Sequence, residues 1–278
     1  AAFLQGNFSD AHILLEQAYS IIASNGQQNI SLCCDFLAAR LSLFQEIDLP
    51  VGNPETKRQE LLSLHNMMWL NIFDSTYAYY YALTEMPEKI PALFRDHMLS
   101  TVNFLAPCRP MMEMIENQVF LSQQMYAKVI GRSEKLLAIC EEMHYALVSL
   151  HIQIQTAAAY EMLAKHHDAR LLLQKALKNS LPDGFLIPFA ENYRYLKSIL
   201  NNMNAISSDP FISRIISLGS AYEQYCICMS NRNSQPEIFK VLSSRETEIA
   251  CLIVDRLSNR EIAEKLFLSE GTIKQYIN

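Results

Sequence analysis

Apolar positions in this chain recur with the 3.6-residue period of the α-helix through most of its length. In the segment Asp168 to Leu177, Ala169, Leu173 and Ala176 fall at i, i+4 and i+7 and share one helix face. Small residues on such a face let a second helix approach closely. Asp10 to Ala18 repeats the arrangement with Ala11, Leu15 and Ala18, and Tyr126-Ala127-Lys128-Val129-Ile130-Gly131 reads as a third, weaker copy. From Ala127 to Ala169 the step is 42 residues, the length of two helices and their turns. From about Asn53 to Pro110 the pattern is helical but irregular, with Pro87, Pro91, Pro107 and Pro110 marking loops. Met143 to Tyr160 lacks Asp, Glu, Lys and Arg but carries His144, His151, Gln153 and Gln155. A bilayer core penalises those side chains, so the segment reads as a buried helix and no membrane partner is expected.

The pattern changes near the C-terminus. Ser230-Asn231-Arg232-Asn233-Ser234-Gln235-Pro236 is polar and helix-breaking, and predicts a linker over 231–240 between a body at 1–230 and a small domain at 241–278. Three helix starts follow. Ser243-Ser244-Arg245-Glu246 and Ser258-Asn259-Arg260-Glu261 are Ser-x-x-Glu capping boxes. Ser269 opens the third helix, with Thr272 in the Glu position, so that this box is half formed. The predicted helices run from about Ser244 to Asp255, from Asn259 to Leu266 and from Glu270 onward. Phe267-Leu268-Ser269 alone separates the last two, which is helix-turn-helix spacing. Ile249, Leu252, Leu257, Ile262, Ala263, Leu266, Leu268, Ile273 and Ile277 can form one small core, with Ala263 small where the helices cross.

Composition supports the helical reading and narrows the chemistry. Among 278 residues there are 7 glycines and 10 prolines, with half of the chain hydrophobic and 19% charged. Strand-joining tight turns and phosphate loops consume glycine, so an all-α chain is expected. The net charge of −6 means that any nucleic-acid contact must be local. The 7 cysteines are an odd number, set mostly among apolar residues, which predicts free thiols in a reducing, cytoplasmic setting. Cys226-x-Cys228 lacks a second Cys or His pair nearby and reads as core.

The C-terminal residues carry a resemblance. Leu242-Ser243-x-Arg245-Glu246-x-Glu248-Ile249, then Leu257-Ser258-Asn259-x-Glu261-Ile262-Ala263-x-x-Leu266, then Ser269-x-x-Thr272-Ile273-Lys274 resemble the LuxR-type DNA-binding domain. Arg256 departs from the family by replacing the usual helix-ending Gly, and Tyr276 by replacing a common His. The resemblance implies that the third helix enters the major groove of double-stranded DNA. Lys274 and Gln275 then become the base-reading candidates, Asn278 lies one turn on, and Ser269 and Thr272 suit phosphate oxygens. Ser258, Glu261, Ile262 and Ala263 are expected to hold the fold. The family's domain continues into a fourth helix that aids dimerisation on DNA, whereas this chain stops inside the third, so an internal piece of a longer regulator is expected. Residues 240–278 hold six basic and six acidic side chains, a balance that predicts weak DNA binding by this chain.

The repeated segments resemble tetratricopeptide (TPR) repeats. Ala169, Leu173 and Ala176 match the small–large–small positions of the second helix, Tyr160 and Ala157 match positions of the first, and Gly6 matches the turn. Gln153 stands where Trp is usual, His166 replaces the turn Gly, and Pro182 is displaced by one position. A TPR-like superhelix before a LuxR-type domain resembles a MalT-like regulator. That likeness implies a body that senses an inducer or a protein partner. No G-x-x-x-x-G-K-[ST] phosphate loop occurs, so no cofactor is assigned.

Two aromatic groups are candidate ligand contacts. Trp69, Phe73 and Tyr77 lie at i, i+4 and i+8, beside Tyr79, Tyr80 and Tyr81. Phe189, Glu191, Asn192, Tyr193, Arg194 and Tyr195 form the second group. Either could line a pocket for a sugar, a flat metabolite or a peptide side chain, or pack a helix–helix core. Catalytic readings find no support: His166-His167 point apart on a helix, His144 and His151 stand two turns apart, and no nucleophile elbow or convergent acid pair occurs. The competing expectation is a protein–protein scaffold from a signalling ATPase-type regulator.

Overall fold

A computed structural model describes the backbone of residues 1–44, 54–234, 245–246, 249, 252–253, 257–266 and 268–277. The described residues contain helices and turns and no strand, so the fold class is all-α. The chain divides into two compact units, Ala1–Ile227 and Cys228–Asn278.

In the first unit a short 3-10 turn, Phe3–Gln5, leads to α1 (Phe8–Asn25) and α2 (Gln28–Leu41). Then come α3 (Pro54–Ser63), α4 (Met67–Leu83) and α5 (Ala92–Arg95). They are followed by α6 (Arg109–Ser122), α7 (Tyr126–Glu142), α8 (Ala146–Met162) and α9 (His166–Ser180). The last are α10 (Ile187–Glu191), α11 (Tyr193–Ser207) and α12 (Pro210–Ser234), whose final residues pass the boundary at Ile227. The sequence places a linker from residue 231, but α12 continues to Ser234. Residues 235–240 lie outside the described part.

The helix pairs share one turn chemistry. Helices α4, α6, α7 and α8 are each closed by a residue in the left-handed region: Glu85, Gln124, His144 and Ala164, at φ 56°, 60°, 56° and 57°. The residue after each donates its N–H back across the turn: Met86 to Tyr81, Met125 to Phe120, Tyr145 to Cys140 and Lys165 to Tyr160, at 2.8–2.9 Å. These are Schellman closures, which satisfy carbonyls that a helix end would otherwise leave unpaired. The left-handed position before α9 is therefore Ala164, and His166, expected in the turn, is the first residue of α9.

These turns set the repeat. Ala164 follows Gln124 by 40 residues, and α9 follows α7 at the same interval. The buried positions of α7 are Val129, Ser133, Leu136 and Cys140, and 40 residues on they become Ala169, Leu173, Ala176 and Ser180 of α9. Ala127, which the sequence pattern pairs with Ala169, is exposed. The period is thus 40 and not 42, because Val129 and not the smaller Ala127 occupies the inward position. In α1 the same offsets hold Ala11 and Leu15, both buried, with Ala18 half-buried.

Helix α8 packs against α6, α7, α9 and α11, and is buried without interruption from Leu150 to Ala159. This accounts for the absence of Asp, Glu, Lys and Arg from that stretch, Glu161 following it at the helix end. Its Gln155 amide is satisfied on the donor side, Nε2 donating to Met114 O at 3.1 Å and to Gln118 Oε1 at 2.9 Å, while Gln155 Oε1 is buried without a hydrogen-bond partner among the described residues. Further on, Gly219 of α12 lets that helix sit on Tyr193, since a Cβ there would stand 2.5 Å from the Tyr193 ring. Residues from both ends of the unit meet as well. Phe3, Leu4, Ala11, Leu15, Ala38, Leu41 and Ile187 share one apolar cluster, and Leu186 N–H donates to Leu4 O at 2.7 Å.

Candidate nucleic-acid interface

In the second unit, two eight-residue helices, Asn259–Leu266 and Glu270–Ile277, enclose an apolar centre. Ile249, Leu252, Ile262, Ala263 and Ile273 are buried there, with Leu257, Leu266 and Leu268 packed against them. A core this small depends on well-made helix ends. Ser258 and Glu261 form the full reciprocal box: Ser258 N–H and Oγ donate to Glu261 Oε2 at 2.8 and 2.7 Å, and Glu261 N–H points back to Ser258 Oγ at 3.4 Å. The hydroxyl bond and then the backbone bond from Ser258 hold the Glu261 carboxyl below its ordinary range. Ser258, Glu261, Ile262 and Ala263 serve the fold here, as the sequence pattern implies.

The last helix begins in the same manner with weaker chemistry. Ser269 Oγ accepts from Thr272 N–H at 3.1 Å, and the two hydroxyls lie 2.8 Å apart. The Ser269 and Thr272 hydroxyls thus stand together at the helix N-terminus, where the backbone dipole favours an anion. Ile273 faces inward with no exposure, whereas Lys274 and Gln275 are exposed on the outward surface of the same turn. The candidate base-readers and phosphate-binders therefore share one short helix. Asn278 and Arg256 lie outside the described residues, as does most of the helix predicted from Ser244 to Asp255.

Residues 240–278 match the family of bacterial regulatory proteins of the luxR family (GerE). This LuxR-family helix-turn-helix domain supports a DNA-binding transcription regulator. No curated protein and no solved structure matches the chain. Arg245 of the LuxR-type motif braces the fold. Its Nη2 donates to Leu266 O at 3.0 Å, placing a cation at the C-terminus of the Asn259–Leu266 helix.

The four candidate ligand residues of the body fall in two places. Phe73 and Tyr77 are buried with Leu32, Leu61 and Leu70, and Trp69 packs partly buried against them. Phe73 and Tyr77 also edge a 450 Å³ cavity with Arg58, Asp74, Tyr81 and Arg95. Arg58 and Asp74 are joined there by two bonds of 2.8 and 2.9 Å. Tyr193 is buried in another cluster, beneath α12.

What joins the two aromatic groups is a buried charge centre. Arg40 Nε and Nη2 donate to the Glu191 carboxylate at 2.7 and 2.9 Å, and the Tyr79 hydroxyl donates to Glu191 Oε2 at 2.9 Å. The Arg40 guanidinium lies 5.0–5.5 Å from the ring centres of Phe3, Phe36 and Tyr79. Burial is the largest influence and opposes its charge, but Glu191 together with Tyr79 and Tyr222 outweighs it and raises Arg40 above the ordinary arginine value. His151, edge-on to Tyr79 at 6.4 Å, is held well below the usual histidine range by burial and then by the Arg40 cation. Arg40 carries no local sequence signal, since its partner is 151 residues away. Among the described residues, no group of three or more His, Cys, Asp and Glu side chains could hold a metal ion. No helix there is long and apolar enough to cross a membrane.

Proposed function

We propose that this chain belongs to a cytoplasmic transcription regulator in which the LuxR-type domain docks on promoter DNA and the helical body receives a signal. Lys274 and Gln275 read base edges in the major groove, Ser269 and Thr272 bind phosphate, and Asn278 extends the contact by one turn. The protein acts on DNA as a dimer. The body is a TPR-like array, with a 40-residue period against the usual ~34, whose partner is an inducer or a protein. The body, the junction at 231–240, whose first four residues continue α12, and the DNA-binding part at 241–278 form the division of labour.

The observation that carries this reading is the capped helix Glu270–Ile277, which buries Ile273 while exposing Lys274 and Gln275. Tyr276 and Ile277 are exposed at the end of this helix, so Ile277 stands outside the small core that its spacing predicts, and those two side chains are where a protein contact would form. A Lys–Gln pair instead offers a donor for guanine and a bidentate amide for adenine. The test is selection of duplexes from a random pool at low salt, followed by anisotropy on the winners. Lys274→Ala and Gln275→Ala each weaken the selected site by about tenfold or more, equivalent to ~1–3 kcal/mol per base contact. Lys178→Ala, on an exposed face of α9, leaves affinity unchanged. Equal affinity of the wild-type chain and both helix variants would overturn the assignment.

A further inference from the structure

Two adjoining cavities of the Ala1–Ile227 unit are separate from the sites above, which they touch through Leu32 and Phe36. The larger, 690 Å³, lies among α2, α4, the start of α6 and the turn into α8. The second, 460 Å³, shares Ile72, Cys108 and Met112 with it. Both volumes fall within the range of small-molecule sites, about 300–1,000 Å³. We infer that this paired cavity binds a neutral, predominantly apolar small molecule. The inference deepens the sensing role proposed for the body by naming the chemical class of its ligand, and it rests on that role only for its purpose.

Charge decides the first half of the argument. Among the described residues, no Asp, Glu, Lys or Arg lines either cavity, although 19% of the chain is charged. An ionised ligand entering here would give up its hydration and meet no carboxylate, ammonium or guanidinium on these walls, the one imidazole, His144, being exposed to solvent. Hydrogen bonding decides the second half. The hydroxyls of Ser75 and Thr76 at the cavity wall both donate to Ile72 O, at 2.6 and 3.3 Å. Their protons are committed to the helix backbone, as is that of Thr101 to Met98 O at 2.7 Å. His144 and Tyr145 at the larger cavity and Asn71 and Asn103 at the smaller are the other nitrogen- and oxygen-bearing side chains, enough for a ligand with one or two polar groups but not for the many hydroxyls of a sugar. This separates the cavity from the sugar class that the aromatic groups suggest by composition.

The walls suit an apolar guest of variable shape. Met111 and Met112 line the larger cavity, and Met67 and Met68 line the smaller one. Unbranched thioether side chains adapt to irregular partners at little cost. Met67 and Met68 at the smaller cavity and Leu147 at the larger remain exposed, which leaves an apolar entrance.

The test uses the whole chain and the neutral fluorophore N-phenyl-1-naphthylamine. Saturable enhancement of its fluorescence is expected, with displacement by 1-decanol but not by decanoate or glucose. Ala146→Trp, at the exposed mouth of the larger cavity, is expected to weaken binding at least tenfold with unchanged circular dichroism. Bound probe is also expected to slow N-ethylmaleimide labelling of Cys33 and Cys108, which line the larger cavity, but not of Cys34, which lines neither. Absence of saturable binding overturns the inference. Binding indifferent to Ala146→Trp and to both thiols overturns it too, as does equal displacement by decanoate or glucose. Saturation only by an amphipathic peptide would replace the small molecule with a protein partner. The sensing role is judged separately: if saturating probe binds at this cavity and leaves DNA affinity unchanged, that role fails while the site stands.

Discussion

Replacing Glu191 by Gln keeps its volume and removes its charge, leaving the Arg40 guanidinium buried without a counter-ion. The side chains of Arg40 and Glu191 are only 9% and 0% exposed, so water cannot substitute for the lost carboxylate. Removing one partner of a fully buried pair costs about 3–5 kcal/mol, whereas removing both charges together is often nearly neutral. Glu191→Gln should therefore destabilise the body by roughly 4 kcal/mol, or about 8–16 °C in Tm for a unit of this size. Tyr79→Phe removes one charge-assisted bond and should cost about 1.5–3 kcal/mol. The double variant Arg40→Met, Glu191→Gln should recover most of the single loss. Trp69 is the single tryptophan of the chain and lies in α4, so its fluorescence during urea unfolding reports the body alone. A loss below about 1 kcal/mol for Glu191→Gln, or a double variant as unstable as the sum of its singles, would refute the argument that this ion pair is electrostatically isolated from water.

Ala164→Gly should stabilise the body by about 0.5–1 kcal/mol in the same unfolding assay, because glycine relieves the left-handed strain at φ 57° that outweighs its entropy cost; unchanged or lower stability would count against it. His151 remains neutral in the fold because its pKa is lowered, while the unfolded chain protonates near the ordinary value of ~6.5. Stability should therefore fall as pH drops below about 6.5, by up to ~1.4 kcal/mol per unit, and His151→Gln should flatten that slope. Ser258→Ala should cost the small unit about 1 kcal/mol, measured by hydrogen exchange at Ile262 and Ala263. The lowered Glu261 carboxyl adds stability above its ordinary range, which is lost as pH falls through its folded value, and Glu261→Gln should remove that dependence.

Local chemistry was legible from sequence wherever the partners lie within a turn or two. The Ser258–Glu261 box, the Ser269–Thr272 pair, the bounds of both C-terminal helices and the inward placing of Ile262, Ala263 and Ile273 all follow from residue spacing. Backbone periodicity is enough to decide them. Register was less accessible: Ala127 looked like a repeat position, but helix phase relative to the Schellman turn at Gln124 puts Val129 inward instead. Likewise the turn before α9 closes on Ala164, a residue with no turn signature.

Only tertiary packing could bring Arg40 to Glu191 and Tyr79, because a pair 151 residues apart leaves no pattern along the chain. The same holds for the uncharged cavity, whose walls come from four separate stretches between Leu32 and Val148. Sequence determined that the chain is helical, where its small domain lies and which helix of that domain offers polar side chains outward. Tertiary structure decided which aromatic residues are core, which charges are buried together and where an apolar guest can enter, since burial and proximity are properties of packed faces and not of neighbouring residues.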